Sequence, residues 1–205
     1  MIRASVARRL HGERAARRSG QSIVEFAVAL PVFMMLLLGM LEFGLVFSHH
    51  IGLEYATREG ARMAAALGSG TDQVVCSEVD KNVIAALQRV LTSPGSQIAM
   101  ANVSEIRIYA ADASGLQIGG LANVWIPGTG PTVDGYALKF SQSSLGWNAC
   151  GRKNSWTLPN NPPDSVGVSL TYRYDLVTPL GNLVRAFSSG SIRIDDRTVM
   201  AINPT

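Results

Sequence analysis

Few residues in this chain have the type and spacing to do chemistry, and the most telling is a carboxylate. Glu25 opens an apolar run from Phe26 to Phe47, FAVALPVFMMLLLGMLEFGLVF, that only Pro31 and Glu42 interrupt. An unpaired carboxylate costs about 2.5–3.5 kcal/mol at mid-bilayer and less near an interface, so its presence there answers to a function. The histidines are His11, His49 and His50. Adjacent positions on a helix diverge by roughly 100°, so His49 and His50 make no chelating pair, and an interfacial polar role is expected of them. Asp112-Ala113-Ser114-Gly115-Leu116 begins like a DxSxS cation motif, but Leu116 stands in the second serine position. GlyThrGlyPro at 128–131 reads as a turn. No GxSxG, HExxH, CxxC or phosphate-binding glycine loop occurs, so neither catalysis nor a metal, cofactor or small-molecule substrate is expected.

The elements that hold Glu25 follow from charge and hydropathy. Arg3, Arg8, Arg9, Arg14, Arg17 and Arg18 against Glu13 give the first twenty residues +5 of a net +3, leaving −2 on the rest. A basic tail directly before an apolar run is a topology signal more than a nucleic-acid site. At about 1.5 Å per helical residue the run is roughly 30 Å long, enough to cross a bilayer, and the positive-inside rule keeps its N-terminus in the cytoplasm. Residues 1–20 therefore read as a basic cytoplasmic leader, 21–48 as a transmembrane helix, 49–67 as its extracytoplasmic continuation and 68–205 as an outer domain. The run is longer than a signal-peptide core, and Ala64, Ala65 and Ala66 lie far beyond it.

After the span, alanine-rich sequence without proline continues the helix to Leu67, where Gly68, Ser69 and Gly70 end it. Every fourth residue is small: Gly44, Ser48, Gly52, Ala56, Gly60, Ala64 and Gly68. Such a row either permits close packing, inner part to a sheet and membrane part to other helices, or reflects composition alone. A second helix is expected over residues 72–91, capped by Thr71, with Val75, Cys76, Val79, Val83, Leu87 and Val90 on one face and Cys76 turned inward. Cys76 and Cys150 both fall in the exported part, where one disulfide is expected, two separate buried thiols being the alternative.

Residues 105–109 read as a short strand, whereas residues 112–163, rich in Gly, Asn, Ser and Pro, read mostly as loop with a pairing fragment at 136–140. VGVSLTYRY alternates cleanly, with Val166, Val168, Leu170, Tyr172 and Tyr174 on one side. Thr178 and Pro179 open a short helix bearing Leu180, Leu183, Val184 and Phe187. A last strand starts at 191–194 and runs towards Ile202, with a bulge at Asp195 and Asp196. The fold class is α+β: a long transmembrane helix, a second helix and a small antiparallel sheet.

The segment Gly20-Gln21-Ser22-Ile23-Val24-Glu25-Phe26 resembles the processing site of prepilins of the tight-adherence (Tad or Flp) branch of type IV pili. With the basic leader, the apolar helix and Tyr55-Ala56-Thr57-Arg58-Glu59-Gly60-Ala61-Arg62, residues 17 to about 67 are similar to a TadE-like pseudopilin. Phe26 replaces the tyrosine usual in Flp-type pilins. The resemblance implies a pilin-like fold and cleavage between Gly20 and Gln21. It implies that Glu25, with Phe26, serves recognition and assembly by neutralising the new amine of a neighbouring subunit. It implies an inner-membrane, single-pass protein that joins the pilus, whose partners are the membrane, other pilins and pseudopilins, platform proteins and a prepilin peptidase, with no nucleic acid. The competing expectation is an uncleaved single-span protein whose outer domain binds a ligand or scaffolds an envelope complex.

Overall fold

The computed structural model describes residues 3–154, 162–186 and 190–202; residues 155–161, Phe187 and the side chains of residues 3–19, Leu180 and Leu183 lie outside that description. The first helix, α1 (Arg3–Leu67), runs unbroken through Pro31. Its burial changes character along its length. From Ile23 to Leu37 every residue is exposed, although nearly all are apolar. From Glu42 onward burial returns with a helical period at Glu42, His49, Leu53, Ala56, Gly60 and Ala64. Gly68 ends the helix at φ +52°, its N–H bonded to Ala64 O at 2.9 Å, in the left-handed region that glycine tolerates.

The second helix, α2 (Val79–Leu91), starts later than the spacing of residues 72–91 implies. Thr71 does accept the Val74 N–H on its hydroxyl at 3.1 Å, but Thr71 and Val74 close a turn of their own. Val75 is extended, with ψ 147°, and exposed. Two β-branched residues in succession favour that break. Cys76 begins a single 3₁₀ turn, Cys76–Glu78, and is half-buried rather than turned into the core.

The strands β1 (Val103–Ala111), β2 (Gln117–Pro127), β3 (Thr132–Val133), β4 (Tyr136–Ala137) and β5 (Phe140–Leu145) follow. Then come β6 (Ser165–Asp175), the short helix α3 (Leu180–Arg185) and β7 (Ser191–Ala201). Five strands form one antiparallel sheet in the order β5-β2-β1-β6-β7, while β3 and β4 make a separate two-stranded hairpin. Residues 112–163 are thus not mostly loop. They hold the eleven-residue β2, which alternation misses because glycines occupy 119 and 120 and a polar residue, Asn123, sits fully buried on its inner face. The expected bulge at Asp195 and Asp196 is absent. β6 and β7 pair without a register shift from Ser165↔Ala201 to Asp175↔Ser191. Asp196 faces inward opposite Leu170 because Thr57, a fully buried threonine of α1, donates its hydroxyl to the Asp196 carboxylate.

One face of the sheet carries the core. Val166, Val168, Leu170, Tyr172 and Tyr174 of β6 and Ile106 and Ile108 of β1 meet Leu53, Ala56, Ala61 and Ala64 of α1 and Val83, Ile84, Leu87 and Leu91 of α2. Since β6 passes Gly60 at Val168 and reaches Glu42 at Tyr174, it descends along α1 towards the exposed apolar segment. That direction decides which end of the domain lies nearest to it.

Candidate functional site

Gly20 and Gln21 lie exposed on α1, and so does Phe26. Glu25 is exposed too, and it accepts a hydrogen bond from Gln21 Nε2 at 2.9 Å, one helical turn away. Val24, Val28, Ala29, Val32, Phe33 and Leu36 surround it with an apolar, open surface. Among the described residues the carboxylate's hydrogen-bond partner is thus Gln21, the side chain at the expected new N-terminus.

Glu42 has the opposite environment. It is 6% exposed, and Tyr174 Oη donates to its Oε1 at 2.7 Å, Val177 N to Oε1 at 3.0 Å and Thr178 N to Oε2 at 2.9 Å. Burial pushes the Tyr174 hydroxyl well above the usual phenol range, and its bond to the Glu42 carboxylate pushes it further. Two carboxylates of one apolar run thus part ways: the outer domain satisfies Glu42 and does not reach Glu25. In the sequence Glu42 stands only as an interruption of the apolar run, although the cost that singles out Glu25 applies to it equally.

Two turns above Glu42, the helix is clamped by His49, which is buried with Nδ1 2.8 Å from Leu45 O and Nε2 3.1 Å from Gln97 O. Its ring lies edge-on to Tyr174, with centroids 4.9 Å apart. His50 is half-buried beside it. Among the described residues no group of three His, Cys, Asp or Glu side chains is arranged to hold a metal.

At the far end, Cys76 and Cys150 form a disulfide with Cα atoms 4.9 Å apart, joining the turn before α2 to another 3₁₀ turn, Ala149–Gly151. Next to it is a buried polar network. Arg152 Nη2 donates to Asp80 Oδ1 at 2.6 Å, and Asn123 Nδ2 donates to Asp80 Oδ2 at 2.5 Å and to Trp147 O at 2.7 Å. The Arg152 guanidinium stacks 4.4 Å over the Trp147 ring. These contacts hold the segment after β5 against α2, a structural task that the spacing of the residues does not reveal.

The small row divides along α1. Gly44 has nothing near the position of a Cβ, and Ser48 is exposed. A Cβ on Gly52 would come 2.9 Å from Ile98 Cδ1, and one on Gly60 would come 3.3 Å from Val168 Cγ1 and 3.4 Å from Leu87 Cδ1. Ala56 and Ala64 are fully buried, and Gly68 turns the chain out of the helix. Between Gly52 and Gly68 the row faces the sheet, α2 and the loop before β1; below it, the row is open.

These features define an α+β protein carried on one long apolar helix, and the helix fits a membrane anchor. Residues 20–62 match the family model of TadE-like protein, so the segment from Gly20 through Arg62 is TadE-like, and the match ends within α1. The likeness to TadE-like proteins thus covers a segment of α1 and does not extend to α2 or the sheet. No curated protein and no solved structure matches it.

Proposed function

We propose that the chain is a minor pilin, or pseudopilin, that joins or primes a Tad-type adhesion pilus from the bacterial inner membrane, with its outer domain extracytoplasmic and without catalytic activity of its own. The observation that carries this reading is the contrast between the two carboxylates. Glu42 is bound on both oxygens by its own domain, whereas Glu25 has Gln21 as its partner among the described residues and lies on a lipid-length surface of exposed apolar side chains. Removal of residues 1–20 by a prepilin peptidase would leave an amine at Gln21, one turn from Glu25. A neighbouring subunit then offers each carboxylate an ammonium partner in the apolar interior, and pairing offsets most of the cost of burying the charge. Assembly becomes the state in which Glu25 is satisfied. The other pilins, the platform proteins and the peptidase are the partners this scheme requires.

The test is the mass of the N-terminus in a strain that carries its own peptidase. A mature chain starting at Gln21 is expected, and recovery of the full-length chain alone would overturn the reading in favour of an uncleaved anchor. Glu25→Ala should leave membrane insertion intact and reduce recovery of the protein with sheared pili.

A further inference from the structure

The end of the outer domain nearest the apolar helix is built in an unusual way. β6 and β7 are neighbours in perfect register, and their last pair is Asp175↔Ser191. Hairpin strands are ordinarily joined by about two to five residues. Here residues 176–190 intervene and include α3. The descent of β6 along α1 brings this connection to Glu42, which its Val177 and Thr178 amides bind directly. Glu42 is the first buried residue beyond the exposed apolar stretch of α1. About twenty helical residues cross a hydrocarbon core of roughly 30 Å, so the exposed stretch up to Leu41 suffices for a span, which then ends there and not at residue 48, since from Glu42 onward the domain already encloses one side of the helix. The connection therefore sits at the height of the bilayer surface.

Its side chains suit that position. Val177 is 72% exposed and Val184 is exposed as well, although both are apolar, and Arg185 at the end of α3 is also exposed. On α1 at the same level Phe43 is 71% exposed, and Phe47, stacked on it with ring centroids 6.4 Å apart, is exposed too. Apolar residues with an adjacent arginine, continuous with a membrane-spanning surface, match the boundary between acyl chains and phosphates. We propose that residues 176–186 rest on the outer leaflet as a second lipid contact, with Val177 and Val184 at the acyl boundary and Arg185 among the phosphates. The partner is the lipid surface itself. Glu42 is the peg that fixes the height of this contact relative to the span, and the outer domain stands on the membrane instead of swinging above it.

The inference rests on the membrane-anchor reading, and the experiment separates the two. The full chain is prepared with a single added cysteine, as Val177→Cys, Val184→Cys, Val28→Cys or Ala113→Cys, the native pair remaining disulfide-bonded. Each is labelled with an environment-sensitive fluorophore and reconstituted in phosphatidylethanolamine–phosphatidylglycerol vesicles containing nitroxide lipids. Val28 marks the span. Ala113 is exposed in the β1–β2 turn at the opposite end of the sheet. Headgroup and shallow-chain nitroxides should quench Val177 and Val184 about threefold more than Ala113, whose strand places it roughly 25 Å higher. Quenching at Val28 together with Ala113-like values at both Val177 and Val184 overturns the surface contact and leaves the anchor standing. Absence of quenching at Val28 overturns the anchor and this contact with it.

Discussion

Glu42→Ala is the substitution with the most readable consequence. The change removes the acceptor of three donors, and two of them, Tyr174 Oη and Thr178 N, lie in buried hydrogen bonds. A buried donor left without a partner costs about 1–3 kcal/mol, whereas the Val177 N–H is partly exposed and can turn to water. Water entering the space of the lost side chain lowers the total, so about 2–4 kcal/mol is expected, mostly by release of the β6–β7 connection from α1. For a domain of this size that corresponds to roughly 10 °C in Tm if the release propagates to the sheet. Hydrogen exchange on the full chain in lipid nanodiscs reads the local event: the Val177 and Thr178 amides should lose protection in the variant while those of β1 and the centre of β6 keep theirs. Glu42→Gln, which retains one carbonyl oxygen, should fall between. Unchanged protection at both amides in Glu42→Ala would refute the role given to the carboxylate.

Gly60→Leu should lower the stability of the outer domain by about 1–3 kcal/mol, because even a Cβ there already touches Val168 and Leu87; Gly44→Leu, in open space, should leave the melting temperature unchanged and weaken pilus incorporation. Replacing Cys76 and Cys150 by serine releases a bridge across 74 residues and should cost on the order of 4 kcal/mol in the chain-entropy model, measured by denaturant unfolding in detergent. Tyr174 keeps its proton in the fold to a higher pH than in the unfolded chain, so the linked stability is intact below the ordinary phenol value of 10.0 and declines as pH rises beyond it. Tyr174→Phe should accordingly show a shallower alkaline loss in pH-dependent melts.

What could be read directly from residue order was whatever rests on local periodicity. β6 is legible because each of its inward residues is apolar, and the end of α1 because Gly68 supplies the left-handed turn. The rest is hidden for one recurring reason, that buried polar side chains have partners far away in sequence. Asn123 disguises β2 because its bonds go to Asp80 and Trp147; Asp196 imitates a bulge because its partner is Thr57; Glu42 reads as an interruption because its donors lie more than 130 residues on. Alternation counts such residues as errors, yet each is the point where a strand or helix is fastened to another. The segment from Gly20 to Phe26 is legible in a different sense. The types and spacing of Gly20, Gln21 and Glu25 carry a resemblance, while the structure adds their exposed setting on α1 and the hydrogen bond from Gln21 to Glu25.

The outer domain is fastened to α1 at both ends, by Glu42 below and, above, by Asn154, whose side chain accepts from Ser69 N at 2.8 Å and donates to Ser69 Oγ at 2.7 Å just past the helix terminus. The two fastenings are about 40 Å apart along the helix axis. A body bolted to a rod at two such points has no hinge of its own: a pull, piston stroke or rotation applied to the exposed apolar half of the helix arrives undiminished at the sheet. Load on the domain reaches the rod as shear spread along the whole packed face, with no single loop to stretch first.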